Sequence, residues 1–322
     1  MKKLAVTIGD PGGIGPEVVL KALSSVADEC LPIVIGDMSV IEEAARAFGI
    51  PQSVKTISDV DEASPSHRIL WCMDMKSLKM HAKGKPVAEN GKACVDYIKK
   101  AVGLAMEKKV DGIVTAPISK EALRLAGFRW PGHTEMLAEF TGAKEYAMML
   151  VGGPLRVILV TIHTALRNVP DLITKERVFG TILLARKACT MLGIEEPKIA
   201  VAGLNPHAGE SGVLGNEEIK EIVPAVTLAN EQGIAVQGPY PPDVVFHKAY
   251  NGDVDMVVCM YHDQGLIPLK MIAFDKGVNV TVGLPIIRTS PDHGTAYDIA
   301  WKGVADPSSM REAIKLALRL KL

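Results

Sequence analysis

The chain has 322 residues, 48% hydrophobic and 23% charged, with a formal net charge of -1 at neutral pH. This is the balance of a soluble globular enzyme of one large or two smaller domains. It argues against nucleic acid or an anionic membrane as partner, because no Lys/Arg run or basic stripe is present. Reading from the start, the apolar stretch of MKKLAVTIGDPGG is too brief for a signal peptide and runs into a Gly-rich turn, so the cytoplasm is the expected compartment.

Strand and helix signals then alternate. A strand is predicted over 4–9 and a helix over 16–26, followed by a strand over 31–37 and a helix over 41–49. Residues 59–90 are polar and irregular, with a weak strand at 69–72. Helical periodicity returns over 91–109, before a strand at 110–117. Further strands are expected at 155–162, 198–206, 254–261 and 278–284, and helices within 171–192, near 216–231 and over 307–320. The strands are continuous Val/Ile runs rather than alternating patterns, as in parallel sheets buried on both faces. The fold class is therefore α/β with mostly parallel sheets. No flexible linker divides the chain. The five cysteines are scattered, odd in number and form no CxxC pair, which disfavours a disulfide scaffold or a zinc ribbon.

Three of these strands run out into a histidine: His163 in LVTIHTALR, His207 in VAGLNPHAGE and His262 in VVCMYHDQG. In open α/β sheets the ligand crevice lies beyond the carboxyl ends of the strands. One strand-end histidine is more often a hydrogen-bonded structural residue. Three together suggest a metal site with an open coordination position, and imidazole donors favour zinc or another borderline ion over magnesium.

Other stretches each admit two readings. GDPGGIGPE (9–17) is either a tight strand-to-helix turn or, at the following helix N-terminus, an anion site. It matches neither a P-loop nor GxGxxG. TAPISK (115–120) ends a strand, and PGHTE then opens a helix, where Thr134 is an N-cap or His133 and Thr134 are substrate contacts. In NPHAGESGVLGNEE, Asn205, His207 and Glu210 are within reach of a ligand, and Asn216 is expected to cap the next helix. The stretch 261–303 places His262, Asp263, Lys270, Asn279, Arg288, Asp292 and His293 on loops between strands. Lys270 and Arg288 supply positive charge for a phosphate or carboxylate. Asp243 in GPYPPD is a candidate proton relay or a helix N-cap.

Taken in order, GDPGGIGPE, TAPISK, PGHTE, IHTALR, NPHAGE, GPYPPD, YHDQG and GLPIIRTSPDHGTA span essentially the whole chain. Together they resemble the 4-hydroxythreonine-4-phosphate dehydrogenase family of the pyridoxal phosphate pathway. That family is similar to isocitrate and isopropylmalate dehydrogenases, whose GDGIGPE start and HGxAxxxAG loop are echoed by Gly12–Glu17 and by His293, Gly294, Thr295 and Ala296. The resemblance implies two α/β domains around a central cleft, 1–125 with 266–322 carrying the cofactor loop, and 126–265 carrying the metal ligands and dimer contacts. It makes His163, His207 and His262 the metal ligands, shared between the subunits of a homodimer. His133, Thr134, Lys270, Asn279 and Arg288 become substrate contacts, and Asp292 with 293–296 part of an NAD or NADP site. The expected metal is zinc, favoured by the imidazole donors, with magnesium or cobalt as alternatives.

The implied reaction is oxidation of 4-hydroxy-L-threonine 4-phosphate and decarboxylation to 3-amino-2-oxopropyl phosphate. A sister group acting on D-threonate or D-erythronate 4-phosphate, and yielding dihydroxyacetone phosphate, resembles IHTALR and DHGTAYDIAWKG at least as well. Two readings from other classes are a regulatory protein that has lost turnover and a phosphotransacetylase-like acyl transferase. The first would break the histidine triad or the anion pair, and the second needs neither three ligand histidines nor the HGTA loop.

Overall fold

A computed structural model describes residues 1–26 and 28–322. In chain order it contains β1 (Lys3–Thr7), α1 (Gly15–Ser25), β2 (Leu31–Gly36), α2 (Met38–Ala47), β3 (Ser53–Thr56), β4 (Ile69–Asp74), α3 (Ala88–Met106), β5 (Gly112–Thr115), α4 (Lys120–Leu125) and α5 (His133–Thr141). There follow β6 (Ala147–Gly152), β7 (Leu155–Leu159), α6 (Val169–Leu172), α7 (Lys175–Met191), β8 (Ile199–Ala202), α8 (Val223–Glu231), β9 (Val236–Tyr240), α9 (Pro242–Tyr250), β10 (Met256–Cys259), α10 (His262–Ala273) and β11 (Val278–Val282). The chain closes with β12 (Arg288–Pro291) and α11 (Ser308–Arg319). Among the described residues no helix is long and apolar enough to cross a membrane.

The chain forms two compact units, Met1–Lys144 with Leu284–Leu320 and Leu322, and Glu145–Gly283 with Lys321. The crossings thus lie near 144 and 283 rather than near 125 and 265. Packing explains the difference. Helix α5 rests on α3 and stays with the first unit, while α10 packs on β6, β7 and β10 and β11 pairs with β6, keeping both in the second.

In the first unit the strands run β3-β4-β2-β1-β5-β12, every neighbouring pair parallel. The central strands are buried on both faces, with Leu4, Val6, Ile33 and Ile113 fully inaccessible. In the second unit the order is β11-β6-β7-β10-β8-β9. Here β7, β10, β8 and β9 are parallel, and β6 is antiparallel to both β7 and β11. Its core joins Val157, Leu159, Ala200, Val257 and Cys259 of the sheet to Leu266 and Leu269 of α10.

Several expectations shift locally. Lys270 lies on α10, Asn279 inside β11 and Arg288 at the start of β12, not on loops. Thr134 is the second residue of α5, whose N-cap is Gly132, and Asp243 likewise follows the N-cap Pro241 of α9, so neither is a cap. Asn216 is not a side-chain cap either; a π-helical turn at Glu218–Ile222 precedes α8, with Glu217 as its N-cap.

Candidate active site

The second unit delivers all three strand-end histidines, because β7, β10 and β8 are adjacent and parallel and end on the same edge. His163 follows β7 and His262 opens α10 directly after β10. Their rings stand 5.7 Å apart, centre to centre. Two imidazoles on one tetrahedral zinc, with Zn–N about 2.0–2.1 Å, have centres roughly 5 Å apart, so the pair needs only a small adjustment to share an ion. They line a cavity of about 310 Å³ with Thr164, Tyr261 and Asp263. Asp263 Oδ1 lies 2.7 Å from His262 Nδ1. A carboxylate only accepts, so Nδ1 carries the proton, which leaves Nε2 as the nitrogen for a metal ion, the arrangement that orients a metal-ligating histidine.

His207 does not join this pair. It sits in a turn at Pro206–Gly212 where His207, Ala208, Gly209, Glu210 and Ser211 all adopt left-handed backbone conformations. Its Nδ1 is 3.6 Å from Glu210 Oε2, and both side chains are exposed. Among the described residues no three His, Cys, Asp or Glu side chains gather into a metal-binding cluster within the chain. The left-handed turn is held from below by the buried Glu218 carboxylate. Its Oε1 accepts from the Leu204 and Asn205 amides at 2.8 and 2.7 Å, and its Oε2 from Asn205 Nδ2 at 2.9 Å. Asp243 is exposed in the first turn of α9. Lys270 lies over the Phe274 ring, and Asn279 pairs with Leu150 across the sheet.

The first unit carries a buried cation. Arg288 is 2% exposed and donates from Nε and Nη2 to Thr115 Oγ1 at 3.2 and 2.8 Å. Burial pulls its guanidinium down to about 9, still above neutral pH, so it stays charged. Burial, reinforced by Arg288, holds the His133 imidazole well below its ordinary range, so His133 is neutral. Its Nε2 is buried with no hydrogen-bond partner, and Thr134 beside it is also buried.

The same unit brings the GDPGGIGPE turn against the 292–305 stretch. The Ile14 amide donates to Thr295 O at 2.9 Å, and a Cβ on Gly13 would stand 2.9 Å from that oxygen. Trp301 Nε1 donates to Pro11 O, and Tyr297 OH to Asp10 Oδ2 at 2.6 Å. Glu17, buried, accepts from the Gly303 and Ala305 amides and from Lys21. The Gly12, Gly13 and Ile14 amides already have acceptors within the chain, which favours the tight-turn reading of this motif over the anion reading. Asp292 N donates to Ser309 Oγ, and His293 Nδ1 lies 3.1 Å from Gly294 O. Burial pushes the Asp10 carboxyl above its usual range, against hydrogen bonds from Tyr297, Gly12 and Asn90.

Residues 28–317 match the family described as pyridoxal phosphate biosynthetic protein PdxA. The chain belongs to the PdxA family. Among PdxA relatives, a 4-hydroxythreonine-4-phosphate dehydrogenase of Desulforapulum autotrophicum is 48% identical over 98% of this chain and 94% of its own length. A D-threonate 4-phosphate dehydrogenase of Salmonella typhimurium is 46% identical over 99% of each. The crystal structure of 4-hydroxythreonine-4-phosphate dehydrogenase from Klebsiella pneumoniae superposes with a TM-score of 0.92 at 43% identity, over 99% of this chain and 97% of that one. Isocitrate dehydrogenase from Methylococcus capsulatus and a phosphotransacetylase from Staphylococcus aureus share the fold alone, at TM-scores of 0.51 and 0.52.

Within this PdxA chain the sequence singles out the strand-end histidines, Asp263 and Arg288, but not what they and the neighbouring turns pair with. Asp263, Thr115, Glu218 and Asp10 are polar groups whose partners are visible only in three dimensions. Asp263 alone had a local signal, a carboxylate next to a candidate ligand.

Proposed function

We propose that the chain is a metal-dependent, NAD(P)-dependent dehydrogenase that oxidises and decarboxylates a 4-phosphorylated hydroxy acid. The observation that carries this reading is the His163–His262 pair, 5.7 Å apart at the ends of β7 and β10, with Asp263 fixing the tautomer of His262. A divalent ion supplies Lewis acidity to the hydroxyl and carbonyl oxygens, and a nicotinamide cofactor accepts the hydride. The donor set favours zinc, with cobalt or magnesium as substitutes. His163 and His262 hold the ion from one subunit. His207, on its exposed turn, is the third ligand and serves the site of a second copy, making the active unit a homodimer. An apolar stripe at Ile267 and Met271 on α10 and at its C-cap Phe274, all exposed in the single chain, supports such pairing.

Arg288, held by Thr115, anchors a substrate anion, with Lys270 and Asn279 as further contacts. His133, kept neutral by its burial, offers Nε2 as a hydrogen-bonding group, with the Thr134 hydroxyl beside it. Asp292, His293, Gly294, Thr295 and Ala296, buttressed by the 9–17 turn, form part of the cofactor site. Asp243 takes the hydroxyl proton. Oxidation at C3 gives a β-keto acid, whose carboxylate leaves as carbon dioxide while the electron pair passes to the new carbonyl.

The first substrate is 4-hydroxy-L-threonine 4-phosphate, giving 3-amino-2-oxopropyl phosphate. The second is D-threonate or D-erythronate 4-phosphate, giving dihydroxyacetone phosphate; relatives bearing either name are almost equally similar. Following NADH or NADPH absorbance with each substrate separates the two. Turnover of only the threonate and erythronate phosphates overturns the first choice, and turnover of none overturns the class.

A further inference from the structure

Three strand ends carry the histidines, yet only two of the three meet. Past Cys259, β7 stays zipped to β10: Val160 N donates to Cys259 O at 2.9 Å, and Thr161 donates to Met260 O from both its amide, at 3.2 Å, and its hydroxyl, at 2.7 Å. This zipper ends two residues before His163 and His262.

The β8 side differs. The β10–β8 ladder stops at Val258 and Val201. Beyond it the Gln264 side chain stands between the strands: its Oε1 accepts from Met260 N at 2.7 Å and its Nε2 donates to Gly203 O at 2.7 Å. Gln264 is 6% exposed, and both ends of its amide are satisfied. Strands in direct register lie about 4.8 Å apart. An interposed amide adds a second hydrogen-bonded layer and so forces them to diverge. The chain leaving β8 towards His207 is thereby turned away from the chain leaving β10 towards His262, while Thr161 keeps His163 beside His262.

We infer that Gln264 is a positioning residue, an amide wedge that with Thr161 decides which histidines share a site within one subunit. This rests on the metal reading above. Gln264 touches no reacting atom. It acts through Met260, two residues before His262, and through Gly203, four before His207.

The test uses full-length protein and Co(II) alone, read by its visible d–d spectrum and by titration, with amide hydrogen exchange on the metal-free protein. Gln264→Met keeps the bulk and removes both bonds. Gln264→Glu keeps the acceptor for Met260 N and sets a carboxylate oxygen against Gly203 O. Thr161→Val removes only the hydroxyl bond and serves as the milder variant if the others do not fold. The expected result is faster exchange of the Met260 amide in Gln264→Met. In both Gln264 variants Co(II) binding falls at least about tenfold, the loss typical of an outer-shell partner, with an altered d–d spectrum. Thr161→Val shifts the spectrum in the same direction. A residue that only stabilises the fold would lower the melting temperature and leave the spectrum of bound Co(II) unchanged, and that outcome refutes the wedge. His262→Ala separates the two levels: wild-type Co(II) binding in that variant refutes the metal reading itself. If His262→Ala loses the metal while the Gln264 variants bind like wild type, only the wedge fails.

Discussion

Glu218→Ala is the substitution whose consequence depends most on where energy is stored. Left-handed backbone at a non-glycine residue costs about 1–2 kcal/mol. His207, Ala208, Glu210 and Ser211 adopt it with φ between 44° and 57°, so the turn holds on the order of 4–8 kcal/mol of strain. Against this stand the hydrogen bonds that the Glu218 carboxylate accepts from the Leu204 amide, the Asn205 amide and Asn205 Nδ2. At roughly 1.5–3 kcal/mol for each bond to a charged group, they contribute about 4.5–9 kcal/mol. The two sums nearly cancel. Truncating Glu218 removes the bonds, but the released turn sheds its strain at the same time. The expected loss of global stability in denaturant unfolding is therefore only about 1 kcal/mol, well below the usual cost of emptying a buried, fully bonded site. Limited proteolysis and amide exchange across 204–214 should change greatly, and on the proposed metal reading affinity for the ion should fall. A loss of more than about 4 kcal/mol with the turn still protected would show that the strain is not released there, and the cancellation would be wrong.

Asp263→Asn frees His262 to bind through the wrong nitrogen; metal affinity measured by titration is expected to drop about 10–100-fold with little change in folding. Thr115→Val removes the acceptor of the Arg288 Nε and Nη2 bonds, lowering unfolding free energy by roughly 1.5–3 kcal/mol and raising KM for the phosphorylated substrate more than it lowers kcat. The pH dependence of stability carries the signature of His133. Its folded pKa is depressed, so below the ordinary histidine value of about 6.5 the unfolded chain binds a proton that the folded chain does not. Stability then falls as pH drops through that value, by up to about 1.4 kcal/mol per pH unit, and His133→Gln should remove this contribution. An unchanged slope between the wild type and this variant in urea unfolding at pH 5 and 6.5 would contradict a buried neutral imidazole at 133.

The legible part of the fold was the part that buries both strand faces. Runs such as LAVTI and VVCM have no alternative but a covered parallel sheet. The strands that escaped break this rule, β12 among them, whose polar run RTSP is nonetheless fully buried. β3 (SVKT) is an exposed edge, β9 (VQGPY) carries a Gly-Pro pair that only an edge strand tolerates, and β6 (AMMLVG) has a methionine pair in place of β-branched residues. Helix α10 escaped for the opposite reason. Gly265 and Pro268 argue against a helix locally, yet Gly265 is where a Cβ would stand 3.1 Å from Cys259 Sγ and from Leu159 Cδ2. Tertiary closeness, not helix propensity, selects it.

The same division runs through the site. The histidines were legible because strand ends in α/β sheets converge, but convergence of three strands does not make three side chains converge. What separates His207 from its neighbours is a left-handed turn with one glycine in five residues and a glutamine amide standing where a ladder would otherwise continue. Neither has a sequence signature, since both depend on bonds between residues far apart in the chain. The consequence is functional. If His207 serves a second copy as proposed, the exposed turn preorganised by Glu218 has already met the conformational cost of presenting it there. On that proposed reading the metal site and the subunit contact form a single equilibrium, and diluting the enzyme should release metal and dissociate the dimer over the same concentration range.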